Sequence, residues 1–130
     1  MTDSRENTLL IVEDEILILD LAVMALEEHD PTANIVSASN VQQALERLDN
    51  MENLDALVTD IQMPGDKDGL DLAIYVNSRF PGCAIILVSG RPLPTDRPAP
   101  KGSRYVPKPW IPSDLIRVIE HEIGAKRSIA

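Results

Sequence analysis

Ala56-Leu-Val-Thr-Asp60 is a short apolar and β-branched run that closes on a carboxylate, without the polar alternation of a strand that keeps one face in water. Thr8-Leu-Leu-Ile-Val12 and Ala84-Ile-Ile-Leu-Val-Ser89 read the same way. Three such runs predict strands covered on both faces, the signature of a parallel sheet. Asn34-Ile-Val-Ser37 is weaker and Arg104-Tyr-Val106 is short and bounded by prolines, so both are expected toward the sheet edges. Helical patterns lie between the runs at Glu15 to Glu28, Val41 to Asp49, Leu70 to Phe80 and Ser113 to Ile123. Asn40 is the expected N-cap of the second helix and Ser113 or Asp114 that of the last, while Pro81-Gly82 stops the third. The order is β-α repeated five times, with one interruption. Between Gly90 and Gly102 stand Pro92, Pro94, Pro98 and Pro100, each costing roughly 3 kcal/mol inside a helix. The fourth crossover helix is therefore expected to be irregular or missing, leaving either a plain connector or a functional loop.

On the first helix, a wheel of about 100° per residue groups Ile18, Leu21, Ala22, Ala25 and Leu26 as the core stripe. Ile16, Leu19 and Val23 extend beyond it. That surplus is expected either to pack under the last helix, through Ile116 and Ile119, or to form a docking patch for a partner, with Leu19 at its centre.

The 130 residues, 44% hydrophobic and 25% charged, suit one globular domain. The single Cys83 can form no internal disulfide and no zinc cluster, and it reads as a packed thiol. A net charge of −9 repels nucleic acid phosphates. Charge interrupts the apolar runs well short of a membrane span, and Met1 to Thr8 lacks the pattern of a signal peptide, so a cytoplasmic protein is expected. The chain ends soon after Lys126-Arg127, so no output domain is expected and output is by contact.

In an open parallel sheet of order 2-1-3-4-5, strands 1 and 3 are neighbours and a crevice opens at their carboxyl ends. Glu13, Asp14 and Asp60 stand there, either as solvated loop residues or as ligands of a hard cation. Few carboxylates and a backbone carbonyl leave room for water and phosphate oxygens, which favours magnesium over calcium. Ser89 ends strand 4 and Lys108 follows strand 5. A hydroxyl and an ammonium beside a cation make a cradle for a phosphoryl group, with Asp60 most central to carry it.

Val12-Glu13-Asp14-Glu15, Asp60-Ile-Gln-Met-Pro64-Gly65 followed by Asp68-Gly69, Val88-Ser89-Gly90 and Tyr105-Val-Pro-Lys108-Pro109-Trp110 resemble, in order and spacing, the motifs of bacterial two-component response regulator receiver domains. The resemblance covers roughly residues 8 to 124 of a single, stand-alone domain spanning 1 to 130. It implies an α/β, flavodoxin-like doubly wound sheet of five parallel strands. It also implies that Asp60 accepts a phosphoryl group from a histidine kinase or histidine phosphotransfer protein, the domain catalysing only that transfer and a slow dephosphorylation. Asp14 and Asp60 would ligate magnesium by their carboxylates, Gln62 by its backbone carbonyl and Glu13 mainly through water. Lys108 and Ser89 would hold phosphoryl oxygens, and Tyr105 would turn inward as Ser89 moves. The Lys108-Pro109 peptide is expected to be cis.

Two features depart from the usual pattern. The loop Gly65-Asp66-Lys67-Asp68-Gly69 is one residue longer, which places Asp66 or Asp68 as supports around the metal, and the Pro-rich interval replaces part of the usual output face. Gln62 and Arg91 occupy the positions where the family tunes the acyl phosphate lifetime. Other readings fare less well. A flavin mononucleotide site needs amides and hydroxyls after strand 1, where Glu13-Asp14-Glu15 repels an anion. A haloacid dehalogenase-type phosphatase needs a second acid at position 62. The remaining rivals are a phosphorylation-independent adaptor and a receiver excised from a hybrid histidine kinase. His29 and His121 have no phosphodonor context and are expected at the surface, and Trp110 is expected to pack against the last helix. A monomer or weak homodimer with a protein target is expected.

Overall fold

A computed structural model describes residues 6–129. The start of the chain, read above as carrying no signal peptide, lies outside the described residues through position 5. The elements run β1 (Thr8–Val12), α1 (Ile16–His29), β2 (Asn34–Ala38), α2 (Val41–Asp49), β3 (Ala56–Asp60), α3 (Gly69–Arg79), β4 (Ala84–Ser89), β5 (Arg104–Pro107) and α4 (Pro112–Ile129). The strands form one parallel sheet of order β2-β1-β3-β4-β5, as expected, with the two weak strands at the edges. Among the described residues no helix is long and apolar enough to cross a membrane.

The unbroken apolar strands are explained by two cores, one on each face. Leu10, Val12, Leu57, Ile85 and Leu87 point to one face, under α2 and α3. Leu9, Ile11, Val58, Ile86 and Val88 point to the other, under α1 and α4. Successive residues alternate faces, and both faces are covered. Full burial of one such Leu or Ile contributes about 1.5–3 kcal/mol.

The crossover from β4 to β5 contains no helix. Among the described residues, no backbone-to-backbone hydrogen bond involves positions 91 to 99, consistent with the three donors missing at Pro92, Pro94 and Pro98 and the φ each ring fixes. Ala99 nevertheless packs on the α2–α3 core, and the strap re-enters the fold through a turn at Gly102, whose φ of 85° favours glycine.

Two expectations about the helices are corrected, and one alternative left open is decided. The buried residues of α1 are Leu19, Ala22 and Leu26, whereas Leu21 is 49% exposed. The helix is apolar over two adjacent arcs, and packing against α4 selects the Leu19 arc. Leu26 lines the α1–α4 seam with Ile116, Ile119 and Ile123. Leu19 is thus a core residue and no docking residue. The surplus apolar surface is Ile16, Leu17, Leu21 and Met24, 49–84% exposed. Finally, α4 starts at Pro112, and the amides of Asp114 and Leu115 donate to the Ile111 carbonyl. Ser113 and Asp114 lie inside the first turn and do not cap it, because proline at the first helical position needs no donor there.

Trp110 packs on the α1–α4 core and Cys83 is buried, which pushes its thiol up to about 12. His29 and His121 are exposed, with His29 paired to Glu120 across α1 and α4.

Candidate functional site

The register brings four strand ends to one edge. Val12 lies opposite Thr59, Asp60 opposite Val88 and Ser89 opposite Pro107. Pairing continues one residue further at two places: the Glu13 amide donates to the Ala38 carbonyl at 3.2 Å and the Lys108 amide to the Ser89 carbonyl at 3.0 Å. Glu13 and Lys108 are thereby fixed by the sheet. The Lys108-Pro109 peptide is cis, as the resemblance implies.

Lys108 Nζ donates to Asp60 Oδ2 at 2.7 Å and pairs with Glu13 Oε1 at 2.9 Å. Asp60 and Glu13 are both buried, and Asp14, exposed, completes a group in which one carboxylate oxygen from each residue lies within 4.8 Å of the others. The set fits a hard divalent cation: oxygen donors alone, clustered, with one side open to solvent. Burial is the largest influence on Glu13 and lifts its carboxyl above the usual range, against the opposing pull of Lys108. Burial alone would lower Lys108, but its bonds to Asp60 and Glu13 prevail and hold the ammonium above its ordinary value. The ammonium therefore stays charged between the two carboxylates.

The cleft above this edge, ≈ 960 Å3, is lined by Asp14, Asp60, Gln62, Arg91, Arg97 and Lys108 among others. The Asp60 end of β3 is held by the Ile61 amide on the Val88 carbonyl at 3.0 Å and the Gln62 amide on Asp60 Oδ1 at 3.3 Å.

The other expected residues stand apart from this cluster. The Ser89 hydroxyl lies 2.8 Å from both Gln62 Oε1 and the Arg91 carbonyl, and it accepts the Arg91 amide at 3.1 Å. Its one hydrogen serves a single acceptor at a time, and none of these partners is Asp60. Tyr105, opposite Leu87 on β5, is 43% exposed.

Of Asp66 and Asp68, the two candidates for support around the metal, Asp68 is engaged elsewhere. It is the N-cap of α3, accepting the Asp71 amide at 3.0 Å while Asp71 accepts the Asp68 amide at 3.0 Å. This reciprocal capping box is gripped by Arg97, whose guanidinium donates to Asp68 at 2.7 and 3.1 Å and to Asp71. Burial would raise Asp68, but hydrogen bonds from Arg97 and the Asp71 amide hold it below the usual range.

Two residues assigned no individual role from the sequence belong to this neighbourhood. Arg97 reaches it from 26 and 29 positions away, a separation that leaves no periodic trace. Gly69 is required by close approach: a Cβ there would lie 1.8 Å from the Asp60 carbonyl oxygen, and its amide donates to the Ile61 carbonyl at 2.8 Å.

Residues 9–120 match the family described as the response regulator receiver domain. The chain is 26% identical over 122 residues to the putative two-component response regulator ARR13 of Arabidopsis thaliana, covering 92% of this chain and 21% of that protein. It is 28% identical over 117 residues to the probable transcriptional regulatory protein TcrX of Mycobacterium tuberculosis, covering 88% and 48%. The chain thus spans about a fifth and about half of these relatives, which come from a plant and a bacterium. Among solved structures, it superposes on a CheY-like receiver domain protein from Methanospirillum hungatei JF-1 with TM-score 0.82 at 24% identity, covering 97% of this chain and all of that one. A receiver protein from Sinorhizobium medicae WSM419 gives 0.81 at 24%, covering 95% and 99%. Sequence family and sheet topology agree, and the chain belongs to the response regulator receiver domain family, the signalling modules of two-component systems.

Proposed function

We propose that this domain takes a phosphoryl group onto Asp60 from the phosphohistidine of a histidine kinase or histidine phosphotransfer protein, and passes the signal on by protein contact. The observation that carries this reading is the convergence of Lys108 with Glu13, Asp14 and Asp60 at one sheet edge. An Asp60 carboxylate oxygen forms the new bond to phosphorus as the phosphorus–nitrogen bond of the donor breaks. Its electron pair stays on the imidazole, which takes up a proton. Lys108 already stands at Asp60 and meets the phosphoryl charge with little reorganisation. Asp14, Asp60 and the Gln62 carbonyl would hold magnesium, with Glu13 supporting it through water, and the ion would neutralise charge on the phosphoryl oxygens. Ser89 must leave Gln62 to reach a phosphoryl oxygen, and Tyr105 follows by turning inward. Incubation with magnesium and phosphoramidate or beryllofluoride, read by intact mass and amide NMR, tests this. Absence of any adduct and of any shift at Asp60 would leave the adaptor reading.

Asp14→Ala is expected to lower phosphorylation about tenfold or more at limiting magnesium. The melting temperature should not fall, since Asp14 is exposed and its removal relieves repulsion. Marked unfolding would make Asp14 a structural carboxylate instead.

The protein donor docks on the exposed apolar arc of α1, which begins two residues after Asp14. Ile16, Leu17, Leu21 and Met24 form this arc, and Leu17, 84% exposed, is the residue to test. Leu17→Glu should slow transfer from the cognate histidine protein about tenfold, as for an interface anchor, leaving phosphoramidate labelling and melting temperature unchanged. An equal loss with both donors would remove α1 from the docking surface.

A further inference from the structure

The Pro-rich strap from Arg91 to Pro100 has no backbone-to-backbone hydrogen bond from 91 to 99, yet one side chain from its middle ties it to the neighbourhood of Asp60. Arg97 is about three-quarters buried and makes three bonds to the capping box of α3. That box begins at Asp68, and the next residue, Gly69, lies against the Asp60 carbonyl with no room for a side chain between them. The contacts run without a gap from strap to guanidinium to helix N-terminus to the backbone of Asp60. A guanidinium suits this task because its planar fork holds two carboxylates in one geometry. The Ser89–Tyr105 pair uses none of these atoms.

We infer that Arg97 is a positioning residue for the phosphoacceptor, holding the N-terminus of α3 against Asp60 and thereby coupling the Pro-rich strap to the site. This rests on Asp60 being the acceptor. Coupling of this kind is reciprocal: whatever grips the strap and draws Arg97 away alters the reactivity of Asp60, and phosphorylation of Asp60 alters the hold on the strap. The missing fourth helix is thus replaced by a tether with a single charged fastening. Such a fastening can be released without unfolding a helix.

The test uses the whole chain with Arg97→Gln, Arg97→Lys and Asp71→Asn, the last leaving an oxygen to accept the Asp68 amide if the first two disturb folding. Arg97→Gln should lower the phosphoramidate labelling rate and the apparent beryllofluoride affinity about three- to tenfold. Its melting temperature should stay close to that of the native chain. Arg97→Lys should restore part of the loss, since one ammonium keeps the charge but not the fork. Hydrogen exchange should speed up in Arg97→Gln at Gly69 and Asp71, whose amides donate to the Ile61 carbonyl and to Asp68. Asp71→Asn should show the same pattern in weaker form. Labelling and affinity within twofold of the native chain in both Arg97→Gln and Asp71→Asn would overturn the coupling. A native chain that neither labels nor binds beryllofluoride would instead overturn the receiver reading on which it rests.

Discussion

Asp60→Asn should abolish the phosphoryl adduct, a loss of at least about a thousandfold in labelling with any donor. The substitution keeps shape and removes the charged oxygen that bonds phosphorus, so no rescue by higher donor concentration is expected. The fold should survive. Asp60 is one of three clustered carboxylates, and its neutralisation relieves repulsion while Lys108 keeps its 2.9 Å pair with Glu13. Two effects oppose each other here: loss of the charge-assisted bond from Lys108 costs about 1.5–3 kcal/mol, and lower repulsion offsets part of it. The melting temperature should therefore move by only a few degrees, against a complete loss of labelling. An adduct persisting in Asp60→Asn, on Asp14 or Glu13, would refute the assignment.

The sheet was legible because its strands are buried on both faces, which turns Ala56–Asp60 and Ala84–Ser89 into short apolar runs. Strand order came with the flavodoxin-like pattern, and the carboxyl edge and the meeting of Glu13, Asp14, Asp60 and Lys108 followed from it. The rotation of α1 was not legible. Its sequence offers two apolar arcs of similar strength, and only contact with Ile116, Ile119 and Ile123 decides that Leu19 goes inward and Leu21 outward. The start of α4 was misplaced because Ser113 and Asp114 are good caps in isolation, while Pro112 at the first helical position is equally good and comes first. Arg97 and Gly69 escaped for a different reason. Their roles lie in contacts across 26 residues or more, and in a backbone approach at Asp60, neither of which leaves a pattern in neighbouring residues. The Asp68 and Asp71 pair did carry a local signal, an acid at the N-cap and another at the third helical position. Its proximity to the acidic cluster drew the reading toward metal support instead.

Gly69→Ala is expected to damage stability and chemistry together. A Cβ built at position 69 lies 1.8 Å from the Asp60 carbonyl oxygen, 2.7 Å from its carbon and 3.0 Å from Ile61 Cα. All three are backbone atoms, so no rotamer change relieves the clash, and α3 or the end of β3 must move by more than an ångström. Alanine's helix propensity favours the variant by at most about 1 kcal/mol. Overpacking against rigid backbone costs about 1–3 kcal/mol and sometimes more, so the clash prevails. A net loss of about 2 kcal/mol corresponds to a fall of roughly 5–10 °C in melting temperature for a domain of this size. Because the displaced atoms belong to Asp60, labelling by phosphoramidate measured well below the melting temperature should also fall about tenfold or more. Gly82→Ala is the matched control: a Cβ there meets nothing within 4 Å, so both quantities should stay near native values. A Gly69→Ala chain as stable and as reactive as the control would show that α3 yields freely and that its N-terminus does not set the position of the acceptor.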